Sequence, residues 1–292
     1  MKYLFVINPV SGAIDKATIK SKISQSFDLF TIYNTKGTED QSLLFDEVHS
    51  FNPDVIVAVG GDGTVLLCSE VIMQMSIKPL LGVLPAGSAN GMAKELHISD
   101  NIDEAIQVIK KNEQQTPLDL IEINDNIHCL HIGDAGLNAR IVRDYTEDGR
   151  RGYFTYVKYF FEELKNAKPF VSQIIADGKE YQFEGYMLAI ANAMRYGTGV
   201  KVNYVSNPSD GKFELSCLTN IGLGTLVKAG LSVLNIDFAE QEKEQIISCK
   251  KAEVKFNRPV TFQVDGELIG QVDGFTAEII ESAVTVITKK TF

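Results

Sequence analysis

No stretch of the sequence approaches the roughly 20 consecutive apolar residues a helix needs to cross a bilayer, so no transmembrane segment is expected. A secretory leader is not expected either, because Met1–Ile7 runs straight into Asn8-Pro9 and reads as a first strand. Cysteine is sparse: Cys68, Cys129, Cys217 and Cys249 are scattered with no C-x-x-C pair, which points to free thiols and a reduced, cytoplasmic setting. Positive charge is outnumbered, 28 Lys and Arg against 38 Asp and Glu, for a net charge of −10. That balance argues against a general nucleic-acid binder and against strong standing attraction to anionic membranes. A Walker A sequence is missing, as are a G-x-G-x-x-G after the first strand and a G-x-S-x-G elbow. P-loop, dehydrogenase and serine-hydrolase chemistry therefore lack their signatures. Internal repeats and low-complexity tracts are absent too. What remains is a chain of 292 residues, 45% apolar and 23% charged, ordinary for a globular protein and long enough for two domains.

The most informative stretch that is present runs from Asp54 to Thr64, D-V-I-V-A-V-G-G-D-G-T. Val55–Val59 is apolar and β-branched, which suits a strand buried on both faces of a parallel sheet. Gly60-Gly61-Asp62-Gly63-Thr64 follows, and then Val65–Met75, a helix-compatible run without Gly or Pro. Strand, glycine turn and helix N-terminus offer unpaired amides and a positive dipole end to an anion. Glycine lets a phosphate approach the backbone closely, because no Cβ intervenes. Asp62 repels phosphate unless a cation or a transferable proton lies between, which points to Mg-nucleotide chemistry.

The first ~115 residues alternate strand and helix patterns. Strands are expected at Tyr3–Ile7, Leu29–Tyr33, Val55–Val59 and Leu80–Leu84, with helices near Ile14–Ser26, Glu39–Ser50, Val65–Met75 and Ile102–Lys111. This is the pattern of βαβ units in a doubly wound parallel sheet, whose ligands bind at the carboxyl ends of the strands. Three of those ends carry glycine loops: Asn8-Pro9-Val10-Ser11-Gly12, Gly60–Thr64 and Pro85-Ala86-Gly87-Ser88-Ala89-Asn90-Gly91. On one sheet edge they would form a composite phosphate cradle. Beyond a boundary near Asn112–Pro117 the pattern changes to short strand-like segments: Leu118–Asn124, Ile127–Ile132, Gln173–Ala176, Tyr186–Ala191, Phe213–Leu218, Ala252–Phe256, Val260–Val264, Ala277–Ile280 and Val284–Ile287. Only Tyr153–Asn166 and Leu223–Leu234 look helical between them, so a β-sandwich-like second domain is expected.

In these motifs the chain resembles the diacylglycerol-kinase catalytic family, in its soluble bacterial lipid-kinase branch. The resemblance rests on Asn8-Pro9-Val10-Ser11-Gly12, Gly60-Gly61-Asp62-Gly63-Thr64, Leu84-Pro85-Ala86-Gly87-Ser88-Ala89-Asn90, Ser209-Asp210-Gly211-Lys212-Phe213 and Val264-Asp265-Gly266-Glu267, in family order along nearly the whole chain. It implies an N-terminal α/β ATP-binding domain (1–115, with 283–292 returning to it), a C-terminal β-rich lipid-substrate domain (116–282) and an active site in the cleft between them. It further implies ATP and Mg²⁺ as cofactors and a diacylglycerol-like or long-chain-base lipid, met at a membrane surface by transient peripheral contact, as acceptor. Asn8, Pro9, Ser11, Gly12, Gly61, Asp62, Gly63 and Thr64 would hold the ATP phosphates, with Thr35, Ser88 and Asn90 as further nucleotide contacts. Asp62 would sit beside Mg²⁺, Glu267 would accept the proton of the lipid hydroxyl, and Asp210 would bind metal with help from Asn207 and Lys212. A homodimer is compatible with this reading.

Two departures from the family pattern stand out. Where the family loop continues G-D-G-T-x-N-E, this chain has Val65-Leu66-Leu67, and Gly91 replaces an Asp after Gly87-Ser88-Ala89-Asn90. An apolar run after G-G-D-G-T also resembles NAD kinases, and P-A-G-S-x-N resembles long-chain-base kinases. Phosphorylation of a soluble dinucleotide and a nucleotide-binding module without turnover therefore stay open as alternatives.

Residues 140–168 hold seven Lys and Arg against five acids, together with Tyr145, Tyr153, Phe154, Tyr156, Tyr159, Phe160 and Phe161. They read either as a lipid-facing amphipathic element or as core aromatics. His128 and His131, three apart on a strand-like segment, would face opposite ways, so a metal shared between them is not expected.

Overall fold

A computed structural model describes residues 1–12, 15–137, 139, 167–194, 205–219 and 246–289. The expected helices Tyr153–Asn166 and Leu223–Leu234 lie outside the described residues, as do Ala13 and Ile14. The chain divides into two compact units, one comprising Met1–Asp119 and the chain from Glu281 onward, the other Leu120–Ile280.

The first unit is built on β1 (Tyr3–Ile7), β2 (Phe30–Asn34), β3 (Val55–Gly60) and β4 (Leu80–Pro85), parallel in the order β4-β3-β1-β2. β1 and β3 are buried throughout, which is why they read as unbroken apolar runs. Between the strands run α1 (Lys16–Ser26), α2 (Asp40–Phe51) and α3 (Asp62–Gln74), and α4 (Gly91–Glu95) and α5 (Ile102–Lys111) follow β4. The helix α5 shows why such segments form. Ile102, Ala105, Ile106 and Ile109 make one buried stripe at helical spacing. Asn101 caps the first turn, accepting from the amides of Asp103 (2.9 Å) and Glu104 (3.3 Å), and Lys110 and Lys111 sit at the negative end of the dipole.

In the second unit β5 (Gln114–Ile123) enters from the first and pairs with β6 (Ile127–Cys129). Then come β7 (Ile132–Gly136), β8 (Phe170–Ala176), β9 (Lys179–Gly185), β10 (Met187–Ala191), β11 (Phe213–Leu218), β12 (Ile246–Cys249), β13 (Lys251–Val264) and β14 (Glu267–Thr288). β14 runs on into the first unit, where Val286 pairs in parallel with Leu81 of β4. β13 lies along β8 over Ala252–Phe256, then changes partner and lies along β7 over Phe262–Val264. A register shift between Lys255 and Val260 makes that change possible. Phe170, Phe213, Phe262 and Phe275 fill the core, with the rings of Phe262 and Phe275 stacked at 5.0 Å.

Several expected boundaries need correction. α3 starts at Asp62, not Val65, so Asp62-Gly63-Thr64 form its first turn with Gly61 as the cap. Gly63 enters a helix because an N-terminal turn tolerates what a helix interior does not. The change of pattern near Asn112–Pro117 coincides with the end of α5, where Asn112 lies in the left-handed region (φ 46°), and with the start of β5 at Gln114. Ile127–Ile132 is two strands separated by Leu130-His131, whereas Ala252–Phe256 with Val260–Val264, and Ala277–Ile280 with Val284–Ile287, are each one strand. β9 and β12 went unread because β9 alternates with an exposed, charged face and β12 is only 4 residues long.

Candidate active site

The carboxyl ends of β1, β3 and β4 carry the three glycine loops, and the loops touch. Gly12 lies in the left-handed region (φ +60°), and a Cβ there would stand 2.2 Å from the Ala86 carbonyl oxygen. A Cβ on Gly87 would stand 2.4 Å from Gly61 Cα and 2.7 Å from Gly61 N. Only glycine permits those approaches, which explains the residue type at both positions. Hydrogen bonds fix the arrangement. Asn8 N donates to Val59 O (3.1 Å) and Ala86 N to Gly60 O (2.9 Å). Ser11 Oγ lies 3.1 Å from Asn8 O and 3.4 Å from Ala86 O. Asn8 Oδ1 accepts from Val10 N (3.1 Å), shaping the turn through Pro9. Asn90 spends its side chain within its own loop, with Oδ1 accepting from Gly87 N (2.9 Å) and Nδ2 donating to Gly87 O (3.3 Å).

Asp62 joins the second loop to the third. One carboxylate oxygen accepts from Gly91 N and the other from Met92 N, both at 2.9 Å. Each oxygen keeps a second lone pair. Thr64 N is used in the turn, donating to Gly61 O (2.9 Å), and its side chain packs over Gly60. The amides of Asp62 and Gly63 make no hydrogen bond within the described residues, so the first turn of the 13-residue helix α3 presents them to an outside acceptor. Ser88 is exposed at the tip of the third loop. Thr35 is half-buried after β2, with its amide donating to Ile7 O (2.9 Å). The loop that carries it is tied down by buried Asp40, which accepts from Tyr33 Oη (2.7 Å), Lys36 N (2.8 Å) and Gly37 N (2.9 Å). Burial pushes the Asp40 carboxyl up, but these donors outweigh it and hold the group below the usual carboxylate range.

In the second unit Asp265 (φ 50°) and Gly266 (φ 87°) form a two-residue hairpin turn, as their sequence favours. Asp265 is engaged structurally, accepting from the amides of Leu130 (2.6 Å), His131 (2.9 Å) and Ile132 (3.0 Å). Gln263 supports the turn by accepting from Gly266 N (2.7 Å) and donating to buried Asp134. Glu267, the first residue of β14, is exposed. Asp210 is exposed as well, and its Oδ1 accepts from Lys212 N (3.1 Å), while Asn207 Oδ1 accepts from Ser209 N (3.1 Å). Among the described residues no three His, Cys, Asp or Glu side chains gather to hold a metal by themselves. A Mg²⁺ bound mostly by phosphate oxygens and water needs only one or two carboxylates, and the spare lone pairs of Asp62 fit that demand.

Residues 2–123 match the model of the diacylglycerol kinase catalytic domain, and residues 132–288 match that of the YegS C-terminal NAD kinase beta sandwich-like domain. The chain belongs to this family of lipid kinases. It is 26% identical over 252 residues to a protein named probable lipid kinase YegS from Salmonella arizonae, covering 84% of this chain and 81% of that one. It is 24% identical over 281 residues to the diacylglycerol kinase of Bacillus subtilis, covering 92% and 90%. A crystal structure of a diacylglycerol kinase from Bacillus anthracis superposes with a TM-score of 0.77 at 24% identity, over 99% of this chain and 97% of that one. The kinase thus has an N-terminal catalytic domain and a C-terminal β-sandwich domain, as the sequence patterns indicated. No described helix is long and apolar enough to cross a membrane.

Two residues of this lipid kinase escaped the sequence reading. Lys16 Nζ, at the start of α1, donates to Ser11 O (2.7 Å) and Ala86 O (3.2 Å), bridging the first and third loops with one proton left over. Burial lowers its ammonium below the ordinary lysine value. A lone lysine five residues past Ser11 carries no signal that it turns back. Replacing it by methionine is expected to raise the KM for ATP about tenfold or more with kcat little changed, read by steady-state kinetics.

Glu214 of β11 is the second. It is buried, and its carboxylate accepts from Ser206 Oγ at the root of the Asp210 loop. Burial raises its carboxyl above the ordinary 4.5, with nearby Asp210 adding to the rise and hydroxyls of Ser206 and Ser248 opposing it. Above pH 4.5 an unfolded chain ionises this group while the folded one resists, so the folded state holds more protons. Stability should therefore fall as pH rises from there. Glu214→Gln is expected to flatten that fall, as urea unfolding across the acid-to-neutral range would read.

Proposed function

We propose that the protein transfers the γ-phosphate of ATP, with Mg²⁺, to a hydroxyl of a diacylglycerol-like or long-chain-base lipid. The observation that carries this reading is the contact of three glycine loops at Gly12, Gly61 and Gly87, clasped by Asp62 and bridged by Lys16. The exposed amides of Asp62 and Gly63, the dipole of α3 and the Lys16 ammonium favour the triphosphate. Asn8, Pro9, Ser11, Gly12, Thr64 and Asn90 shape the cradle, while Thr35 and Ser88 flank the nucleotide. Bound Mg²⁺ would neutralise charge on the phosphates, with Asp62 supplying a carboxylate ligand. Glu267 takes the proton from the acceptor hydroxyl. Asp210, with backbone oxygens of Asn207 and Lys212, forms a separate metal-binding loop on the second unit.

Relatives named as lipid kinases support a lipid acceptor, and the interfacial reading of residues 140–168 would bring the protein to a membrane surface by transient contact. That segment lies outside the described residues apart from Ala167 and Lys168. The deciding test is transfer of radiolabelled phosphate from ATP to diacylglycerol, sphingosine, monoacylglycerol and NAD in mixed micelles. A labelled lipid is expected. Label confined to NADP would replace the lipid by a soluble dinucleotide, and ATP binding without any transfer would favour the non-catalytic module.

A further inference from the structure

Arg258 occupies the stretch where β13 changes partner from β8 to β7. Its Nη2 donates to the carbonyls of Lys168 (2.8 Å) and Pro169 (3.3 Å), and its guanidinium lies 5.8 Å from the centre of the Phe170 ring. The side chain is thus held in place before any ligand arrives. Lys168 and Arg258 both line a cavity of about 250 Å³ whose wall also includes Phe170, Tyr186, Thr261 and Gln271. Neither cation has a carboxylate partner among the described residues, in a chain of net charge −10. Thr261 Oγ1 accepts from Gln271 Nε2 (2.8 Å), so its own proton is available to donate. Behind them Gly136 (φ +106°) admits no side chain, since a Cβ would stand 2.4 Å from Tyr186 O and 2.7 Å from Phe170 Cε1. A cavity walled by a fixed guanidinium, an ammonium and a hydroxyl donor, with no carboxylate among the described residues of its lining, favours an anion.

We propose that this cavity binds a phosphate ester, a monoester or diester, presented on a lipid headgroup or free in solution. Nη2 of Arg258 is committed to the two carbonyls, which leaves the hydrogens on Nη1 and Nε to donate to phosphate oxygens, and the lysine adds a point charge. The site is distinct from Glu267, because Thr261 lies three positions along β13 from Val264, the ladder partner of Glu267, or about 10 Å of strand. It does not depend on the phosphoryl-transfer reading.

The test measures binding of the full-length protein at low salt, without nucleotide. The probes are phosphatidylcholine vesicles with and without phosphatidate, and glycerol 3-phosphate and inorganic phosphate by calorimetry. Binding of an anionic probe is expected, weakened about tenfold or more by Lys168→Gln and by Arg258→Gln. Loss with phosphatidate vesicles alone would identify a headgroup, and loss with the soluble anions would identify a free phosphate ester. The Lys168 ammonium makes no bond to another described residue, so its variant remains a fair test should Arg258→Gln disturb folding. No binding of any probe, or binding that both variants retain, would overturn the proposal.

Discussion

Asp62→Asn is expected to lower turnover about 10²–10³-fold, the usual loss when one preorganised charge is removed from a reacting site. The structure adds a second consequence. Asp62 accepts from both Gly91 N and Met92 N, and an amide can accept only one of these while presenting an NH₂ group to the other. The third loop should loosen, at about 1–2 kcal/mol. The two effects separate by measurement. Loss of a metal ligand raises the Mg²⁺ concentration required for half-maximal rate. Loss of the clasp weakens nucleotide binding even without Mg²⁺, and lowers the melting temperature by a few degrees. A variant with normal turnover would exclude Asp62 from the chemistry and leave it only the clasp.

The glycine loops were legible because their residue type is dictated by geometry. Gly12 and Gly87 stand where any Cβ would strike backbone, and such positions leave a mark in the sequence. The parallel strands were legible for a related reason, since burial on both faces leaves no room for polar residues in β1 or β3. The features that stayed hidden depend on long-range partners. Lys16 reaches Ala86 across 70 positions, and nothing local distinguishes it from a solvated lysine. Ala252–Phe256 and Val260–Val264 read as two strands, yet Asn257-Arg258-Pro259 between them is the bend by which one strand serves two partners. β9 reads as polar because one of its faces meets solvent. Asp62 illustrates the limit differently. Its chemistry was suggested by charge next to phosphate, but its bonds to Gly91 and Met92 required the fold to bring β3 and β4 side by side.

Glu267→Gln is expected to reduce kcat about 10²–10⁴-fold while leaving the KM for ATP and the melting temperature near their original values. Glu267 is exposed and its carboxylate makes no hydrogen bond within the described residues, so its neutralisation should change stability by less than about 0.5 kcal/mol. The neighbouring acid of the same motif gives the opposite pattern. Asp265 holds the amides of Leu130, His131 and Ile132 and the Cys129 thiol, and Asp265→Ala would leave the three amides without this acceptor. That variant should destabilise the second unit by about 1–3 kcal/mol or more, and any loss of rate should follow the loss of folded protein. Rate lost without stability at Glu267, and stability lost ahead of rate at Asp265, would divide the motif into a base and the turn that positions it. Near-normal turnover of Glu267→Gln on a lipid that the enzyme phosphorylates would remove Glu267 from proton transfer and leave the acceptor hydroxyl to ionise into water.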